Sequence, residues 1–158
     1  PGWARVLLPD RPNSSTGWLA VDDRVTTAHT PYVITVDRAT FTLTLLRDGA
    51  QVGRWTVGVG KLAAQGGKPE SITPVGRTFV LGDVLEAHPT YSPVILPLGV
   101  HSNVFSSYGG GPGEVGVHSW PTSTVYGQNS SDGCIRVPLD ALQVLSTTVP
   151  LGTAVLIT

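Results

Sequence analysis

The sequence predicts a mostly β protein, a β-sandwich of mixed sheets with one short helix after its only cysteine, Cys134. Glycine and proline account for 19 and 13 of the 158 residues, whereas charged residues make up only 13%, a composition typical of many short strands joined by tight turns. Several segments alternate apolar with polar side chains, which is the period of a half-buried strand. In contrast, residues 138–145 carry leucines at helical spacing, with Pro138 at an early helical position.

Residues 1–30 are predicted to form an accessory hairpin or to be the remnant of a linker. Two apolar stretches, 5–8 and 17–21, flank a loop rich in Pro, Asn and Ser, which are residues that favour turns. Pro31 then opens the main domain, predicted to span residues 31–158. Because the chain begins without Met, we expect it to be a trimmed piece of a longer precursor.

The main domain begins with a predicted hairpin. Phe41, Leu43 and Leu45 alternate with threonines, which predicts one buried and one polar strand face. Asp48-Gly49 is the turn signal of a two-residue hairpin connection. Strands are predicted at residues 32–36, 40–46, 51–59, 77–81, 114–118 and 152–157.

Residues 87–103 are predicted to form a long flap. Three prolines interrupt the segment, and because proline removes a ladder donor we expect only short extended pieces there. Long structured loops in compact domains often act as lids, so with Tyr91 and its apolar neighbours this segment is expected to be a mobile wall over a cleft. Residues 61–71 and 119–130 are predicted loops.

Charge and hydropathy exclude several classes of function. The chain has 10 Lys and Arg against 11 Asp and Glu, so it lacks the basic surface of a nucleic-acid-binding protein. No apolar run approaches the length of a membrane span in this fragment. The histidines fit no compact zinc-binding spacing and no second cysteine is present, so no metal site is predicted; they are His29, His88, His101 and His118.

Cys134 is the most informative residue, because as the only cysteine it cannot form an internal disulfide. A thiolate is a strong nucleophile once a neighbouring imidazole accepts its proton, and a lone cysteine with a histidine elsewhere in the chain is a candidate nucleophile–base pair. His118, near the end of a predicted strand, is the candidate base. The alternatives are a buried inert thiol and a core histidine.

The residues around this pair resemble the signature of the L,D-transpeptidase catalytic domain family (YkuD-like). That signature is a histidine followed by a small residue and, after a gap, Ser/Thr-x-Gly-Cys-aliphatic-Arg/Asn. Thr-Pro-Val-Gly-Arg-Thr-Phe at 73–79 is similar to a Thr-Pro-x-Gly element of the family, and a glycine-rich run at 108–113 precedes the histidine strand. The matching segments here are His118-Ser119 and Ser131-Asp132-Gly133-Cys134-Ile135-Arg136.

The resemblance implies a cell-wall L,D-transpeptidase that acts on peptidoglycan stem peptides outside the cytoplasm, in the cell wall or a periplasm-like space. Cys134 would attack the carbonyl of the third stem residue, His118 would protonate the departing D-Ala, and the thioester would pass to an amine of a neighbouring stem. A group next to the histidine, at Ser119, would orient the imidazole. Carbapenem β-lactams would acylate the same cysteine, and no cofactor is implied.

Six further residues are candidates for substrate binding, each with a structural alternative. Gly133 would let the backbone approach the substrate, and its amide and that of Cys134 could point at a developing oxyanion. Asp132 stands where the family often has a second histidine; its carboxylate would raise the pKa of the thiol, anchor the loop or pair with Arg136. The six candidates are Gly133, Asp132, Arg136, Ser131, Trp120 and Tyr108.

Two functional alternatives remain open from the sequence. Within enzymes, water or a protein lysine could take the thioester, giving an L,D-carboxypeptidase or protein-to-peptidoglycan attachment. In a different class, the chain could be a non-catalytic wall-binding module, although retention of both His118 and Cys134 argues against that.

Overall fold

The structure is a computed structural model that describes residues 2–64, 70–108 and 111–158. The predicted loop 61–71 and the glycine-rich run 108–113 therefore lie partly outside the described residues. The strands are β1 Gly2–Leu7, β2 Thr16–Val21, β3 Tyr32–Asp37, β4 Thr42–Arg47, β5 Ala50–Thr56, β6 Val59–Gly60, β7 Gly76–Phe79, β8 Val84–Leu85, β9 Val94–His101, β10 Glu114–Ser119, β11 Asn129–Ser131, β12 Ile135–Val137 and β13 Ala154–Ile157, and the helices are a short 3-10 helix Ser123–Val125 and α1 Leu139–Thr148.

Two mixed sheets dominate the fold. The larger has the strand order β5-β4-β3-β13-β7, with β13 parallel to β3 and the other neighbours antiparallel. The smaller has the order β12-β10-β9-β8, with β10 parallel to β12. Short β6 pairs in parallel with β11, and β1 pairs with β2 in an antiparallel hairpin. The predicted mostly β fold of mixed sheets with one α-helix is confirmed.

One apolar core joins both sheets and the helix. Leu43 and Leu45 of β4 are fully buried, as their alternation with threonines predicts. They belong to the same buried cluster as Leu98 and Val117 of the smaller sheet and Leu142 of α1. Between β4 and β5, the hairpin turn is the predicted Asp48-Gly49 pair, whose φ angles of 51° and 79° suit a two-residue connection.

The prediction of a flap over 87–103 is wrong for its second half. Residues 94–101 form β9, which lies between β10 and β8 in the smaller sheet. Proline is tolerated there because Pro97 pairs with Gly116 next to a register shift in β10, and ladder defects of this kind accommodate a missing donor. Its carbonyl still accepts a hydrogen bond from the Leu81 amide at 2.8 Å. Residues 87–93 remain a loop, and residues 102–103 lie after the end of β9.

Short elements account for the other differences. The predicted return strand 51–59 ends at Thr56, and β6 follows as a separate strand. The predicted loop 119–130 contains the 3-10 helix and the start of β11. Elements of two or three residues are too short to show a period, which is why alternation did not predict them. None of the described helices is long and apolar enough to cross a membrane.

Candidate active site

A cavity of about 280 Å³ lies beside the smaller sheet and brings together most of the residues singled out in the sequence. Seven of the nine predicted site residues line it; they are Tyr108, His118, Trp120, Ser131, Asp132, Cys134 and Arg136. Gly133 lies against a small pocket on the other side of the cysteine. Ser119 lines a second cavity, of about 570 Å³.

Strand alternation explains which side chains reach the cavity. In the parallel pair β10–β12, His118 lies opposite Arg136 and Val117 lies opposite Ile135. Because successive side chains point to opposite faces of a sheet, His118 and Arg136 share the cavity face, whereas Val117 and Ile135 are buried in the core. Cys134 immediately precedes β12 and is half-buried.

The loop that carries the cysteine is held by hydroxyl groups. Ser131 donates through Oγ to the Cys134 carbonyl at 2.5 Å and accepts the Gly133 amide at 3.1 Å. Gly133 has a φ of 119°, a conformation that glycine adopts without strain. Thr73 of the Thr-Pro element donates to the Gly133 carbonyl at 2.8 Å and accepts the Gly60 amide at 2.9 Å.

These contacts correct one expectation. The amide of Gly133 was expected to point at a developing oxyanion, but it donates to Ser131 Oγ instead. The amide that meets the thiol is that of Gly116, which donates to Cys134 Sγ at 3.4 Å. It lies beside the register shift in β10, and irregularities of this kind commonly re-aim groups near functional sites.

An ion pair between Lys61 and Asp132 lies beneath the cysteine loop. Their side chains are only 9% and 13% exposed, and buried charges of this kind need a partner. The backbone reinforces the pair, because the Lys61 amide donates to the Ser131 carbonyl at 3.1 Å. The structure thus gives Asp132 a lysine partner, and the charge of Asp132 also acts on Arg136, whose pKa it raises against the effect of burial.

Arg136 makes different contacts. Its Nη1 donates to the Ser130 carbonyl at 3.0 Å, and its guanidinium lies 3.7 Å from the centroid of the Trp120 ring, a cation–π distance. Its buried Nε has no hydrogen-bond partner among the described residues. Arg136 therefore lines the cavity while one of its donors is buried without a partner.

The thiol is held in its neutral form by its surroundings. Burial raises the pKa of Cys134 above its ordinary value of 9.0, and the nearby Asp132 charge adds to this, while the Gly116 hydrogen bond and the Arg136 charge oppose it. The Gly116 contact is to sulfur as acceptor. At neutral pH the thiol is thus protonated until a base removes its proton.

The imidazole is fixed in one tautomer. His118 Nδ1 lies 2.8 Å from the backbone carbonyl of Ser119, and because a carbonyl can only accept, Nδ1 carries the proton and Nε2 is free to act as a base. Burial lowers the pKa of His118 below its ordinary value of 6.5, with a further contribution from Arg136, against the Ser119 hydrogen bond. No hydrogen bond joins the thiol to this imidazole in the described part of the chain.

Two residues outside the nine predicted site residues, Tyr91 and Ser92, support the imidazole. Ser92 Oγ accepts the Ser119 amide at 2.9 Å and donates to the Val94 carbonyl at 2.6 Å. Tyr91 packs edge-on against the His118 ring with centroids 5.1 Å apart. Both precede β9 in the part of the predicted flap that remains a loop. The proximity of Tyr91 to the cleft was expected, whereas Ser92, a common loop residue, carried no signal.

Trp120 separates the two cavities and lines both. Its ring lies 5.5 Å from Tyr91 and 6.0 Å from His118 by centroid distance. Tyr108, 51% exposed, lines the first cavity at another side and contacts Phe105 at 5.9 Å. The sequence left open whether Trp120 walls a cleft or fills the core, and it borders the cleft.

Lys61 and Gly116 are two more contacts of the cysteine region that the sequence analysis missed. Lys61 lies in a predicted loop, and its proximity to Asp132 results from the parallel pairing of β6 with β11, which is too short to predict. Among the described residues no cluster of three or more His, Cys, Asp or Glu side chains could hold a metal ion.

Several solved structures similar to this chain are L,D-transpeptidases. The enzyme of Enterococcus faecium is 21% identical, with a TM-score of 0.59 over 81% of this chain and 50% of its own. One from Mycobacterium tuberculosis is 20% identical, with a TM-score of 0.58 over 81% and 57%. L,D-transpeptidase 3 of the same organism, in complex with a faropenem-derived adduct, is 18% identical, with a TM-score of 0.60 over 81% and 60%.

The chain thus spans only about half to three fifths of the length of these structures, and identities at this level establish the fold alone. Among curated proteins, none matches the sequence. The family assignment rests on a model of the L,D-transpeptidase catalytic domain, YkuD, which matches residues 31–157, the part of the chain that contains both sheets, the cysteine loop and the histidine strand. By this match the chain belongs to the L,D-transpeptidase catalytic domain family.

Proposed function

We propose that this protein is a cysteine-dependent L,D-transpeptidase that cross-links peptidoglycan stem peptides between their third residues. One observation carries the proposal: Cys134 and His118 line the same cavity, and the Ser119 carbonyl leaves Nε2 of the imidazole unprotonated. A half-buried thiol and an imidazole base in one cleft are the minimum for acyl transfer through a thioester.

In the first half of the reaction, Cys134 Sγ attacks the carbonyl carbon of the third stem residue while His118 Nε2 takes the thiol proton. A C–S bond forms and the carbonyl oxygen becomes an oxyanion. Collapse of this intermediate breaks the C–N bond to D-Ala, and His118 returns its proton to the departing amine. The products of this half-reaction are free D-Ala and a thioester.

In the second half, an amine of a neighbouring stem attacks the thioester. His118 accepts a proton from the attacking amine, a new C–N bond forms, the C–S bond breaks, and the proton passes to the sulfur. Because thiol and imidazole are both neutral at rest, the cycle begins and ends in the same protonation state. The first half-reaction therefore couples transfer of the thiol proton to formation of the C–S bond, rather than using a preformed thiolate.

The remaining predicted site residues divide into two groups. Arg136 lines the cavity with a positively charged guanidinium, so it is proposed to bind a carboxylate or carbonyl oxygen of the donor stem, with Trp120 and Tyr108 as walls. Ser131 and Gly133, together with Asp132 on its lysine partner, hold the cysteine loop. Their contribution to substrate binding is thus the position of the loop.

β-Lactams are the second class of ligand that we propose. L,D-transpeptidase structures similar to this chain contain a faropenem-derived adduct and imipenem. A strained lactam carbonyl would occupy the place of the stem carbonyl, and opening of the ring would leave the acyl group on Cys134. The same proposal implies that the protein acts outside the cytoplasm, in the wall or a periplasm-like space.

Product analysis with a tetrapeptide donor stem and an acceptor stem tests the proposal. We expect release of D-Ala together with a cross-linked product of the two stems, both identified by mass spectrometry. D-Ala released with only tripeptide as the other product would show an L,D-carboxypeptidase instead. If neither D-Ala nor a new amide forms, and no acyl adduct appears with imipenem, the chain is not an active transpeptidase.

A further inference from the structure

The N-terminal hairpin contacts the region of the proposed active site through its loop. The loop between β1 and β2, residues 8–15, extends to the end of β9 and to the segment that connects β9 with β10. We call residues 102–108 and 111–113 of that connection the wall segment, because Tyr108 and Gly111 line the cavity that holds Cys134. The hairpin lies outside the part of the chain matched by the family model, 31–157.

Arg11 makes the central contact. Its guanidinium donates to three backbone carbonyls of the wall segment, those of Ser102 at 2.8 Å, Phe105 at 2.9 Å and Pro112 at 3.2 Å. Three carbonyls separated by up to ten positions in sequence thus converge on one side chain. The planar guanidinium suits this arrangement, because its five N–H donors are fixed in direction.

Asn13 adds a second attachment to the end of β9. Its Nδ2 donates to the His101 carbonyl at 2.8 Å, and its Oδ1 accepts the His101 amide at 2.8 Å. Nδ2 also lies 3.2 Å from Oδ1 of Asn103. One side-chain amide therefore satisfies both backbone groups of a strand residue, as a neighbouring strand would.

The wall segment is built around these contacts. The Ser102 amide donates to the Gly113 carbonyl at 2.8 Å, and Ser102 Oγ accepts the Phe105 amide at 3.1 Å. A Cβ at Gly113 would lie 2.4 Å from the Phe105 carbonyl oxygen and 3.1 Å from Arg11 Nη2, so only glycine allows the two ends of the segment to meet under the guanidinium. Phe105 in turn contacts Tyr108.

We propose that Arg11, supported by Asn13, is a positioning residue for the proposed active site, because it fixes the wall segment that places Tyr108 against the donor stem. This inference rests on the proposed function for its substrate, and it makes the hairpin loop a working part of the catalytic domain. Arg11 itself touches neither Cys134 nor His118, which are held by the cysteine loop and by β10.

The test compares Arg11→Met with Arg5→Met in the full chain. Arg5 is a matched control, since among the described residues its side chain donates only to Thr16 Oγ1, within the same hairpin. Hydrogen exchange measures how firmly Arg11 holds the wall segment, independently of activity. The amides of Ser102, Phe105 and Tyr108 should exchange at least about tenfold faster in Arg11→Met, and the exchange rates of the β3 and β13 amides should not change. Arg5→Met should leave both sets unchanged.

Kinetics with the stem donor then separate positioning from a merely structural role. For Arg11→Met we expect the KM for the donor to rise about fivefold with kcat within about twofold of the wild type, because binding to the wall weakens while the dyad is intact. Arg11→Lys retains the positive charge but not the planar guanidinium, so its KM should lie between the values of the wild type and Arg11→Met. Unchanged exchange in the wall segment, an equal effect of Arg5→Met, or faster exchange with an unchanged KM would each overturn the inference.

Failure of the proposed function would be seen in a different measurement from failure of the Arg11 inference. If the wild type releases no D-Ala from the donor stem, the proposed function fails, and the exchange data alone decide whether Arg11 holds the wall segment.

Discussion

Cys134 and His118 lie in the same cavity, but they are held in opposite ways. The histidine belongs to β10, with a backbone carbonyl fixing its ring and buried core residues on the opposite strand face. The cysteine belongs to a loop held by hydroxyl groups and by the Lys61–Asp132 ion pair. The base is thus part of a sheet, whereas the thiol depends on polar side chains of its own loop and of the segments that carry Lys61 and Thr73.

This difference matches the different requirements of the base and the nucleophile. A base must keep one ring orientation through both halves of the reaction, and a strand provides that. The sulfur must accept and release an acyl group, which needs space around it, and a loop before β12 provides that. Burial nevertheless acts on both groups in the same sense, since it disfavours the charged form of each.

Removal of the thiol should have the largest effect. Cys134→Ala should abolish D-Ala release and the imipenem adduct, because no other described side chain lining the cavity offers a comparable nucleophile. The fold should persist, as the residue is half-buried and only one sulfur atom is lost. Intact-mass measurement and a thermal melt check both points. An adduct of undiminished yield in this variant would contradict the role of Cys134.

Removal of the base should have the next largest effect. His118→Gln retains polarity but lacks a group that can shuttle the proton, so the rate of acylation should fall by roughly 10²–10⁴-fold, the usual contribution of general acid–base catalysis. Alkylation of Cys134 by iodoacetamide at high pH should still reach completion. If acylation by imipenem keeps the wild-type rate, the base is another group.

Substitution of the Lys61–Asp132 ion pair tests whether it stabilises the cysteine loop. Lys61→Met should destabilise the fold by about 3 kcal/mol in urea unfolding, because it leaves the Asp132 carboxylate buried without its lysine. Asp132→Asn in the same chain should recover much of that loss. A double-mutant cycle with no coupling would show that the pair does not hold the loop.

The smallest expected effect is on the pH profile. Activity requires a neutral imidazole, and because burial lowers the pKa of His118, the acid limb of kcat/KM should have its midpoint below pH 6.5. Burial raises the pKa of Cys134, so the rate of alkylation should still be rising at pH 9.0. An acid limb centred above pH 6.5, or a plateau of alkylation at neutral pH, would indicate a preformed thiolate–imidazolium pair.

The sequence predicted the larger sheet better than the smaller one. In the larger sheet, Leu43 and Leu45 alternate with threonines because one face is buried, and Asp48-Gly49 marks the turn. In the smaller sheet, β9 is buried on most of its length and contains a proline, so neither period nor composition indicated a strand. The three prolines of residues 87–103 instead predicted a flap, and the register shift that accommodates Pro97 has no signature in sequence.

In the candidate site, too, the sequence identified some residues and missed others. Residues within the motif around Cys134 could be identified from the sequence, because they are consecutive. Lys61, Ser92 and Gly116 could not, since each reaches the site through pairing between distant segments. The role expected for the Gly133 amide was wrong for a related reason: whether an amide is free depends on the hydroxyl of Ser131, and spacing does not reveal the direction of a hydroxyl.

The contact between His118 Nδ1 and the carbonyl of Ser119 has a consequence for variation at this site. Every amino acid supplies that carbonyl, so no substitution at position 119 can delete the orienting atom itself; only a change in the path of the chain can. The third partner of the dyad is therefore insensitive to point mutation in a way that an aspartate or asparagine side chain could never be. Position 119 can accordingly adapt to its other neighbour, Ser92, and glycine or serine there would leave the tautomer of His118 unchanged.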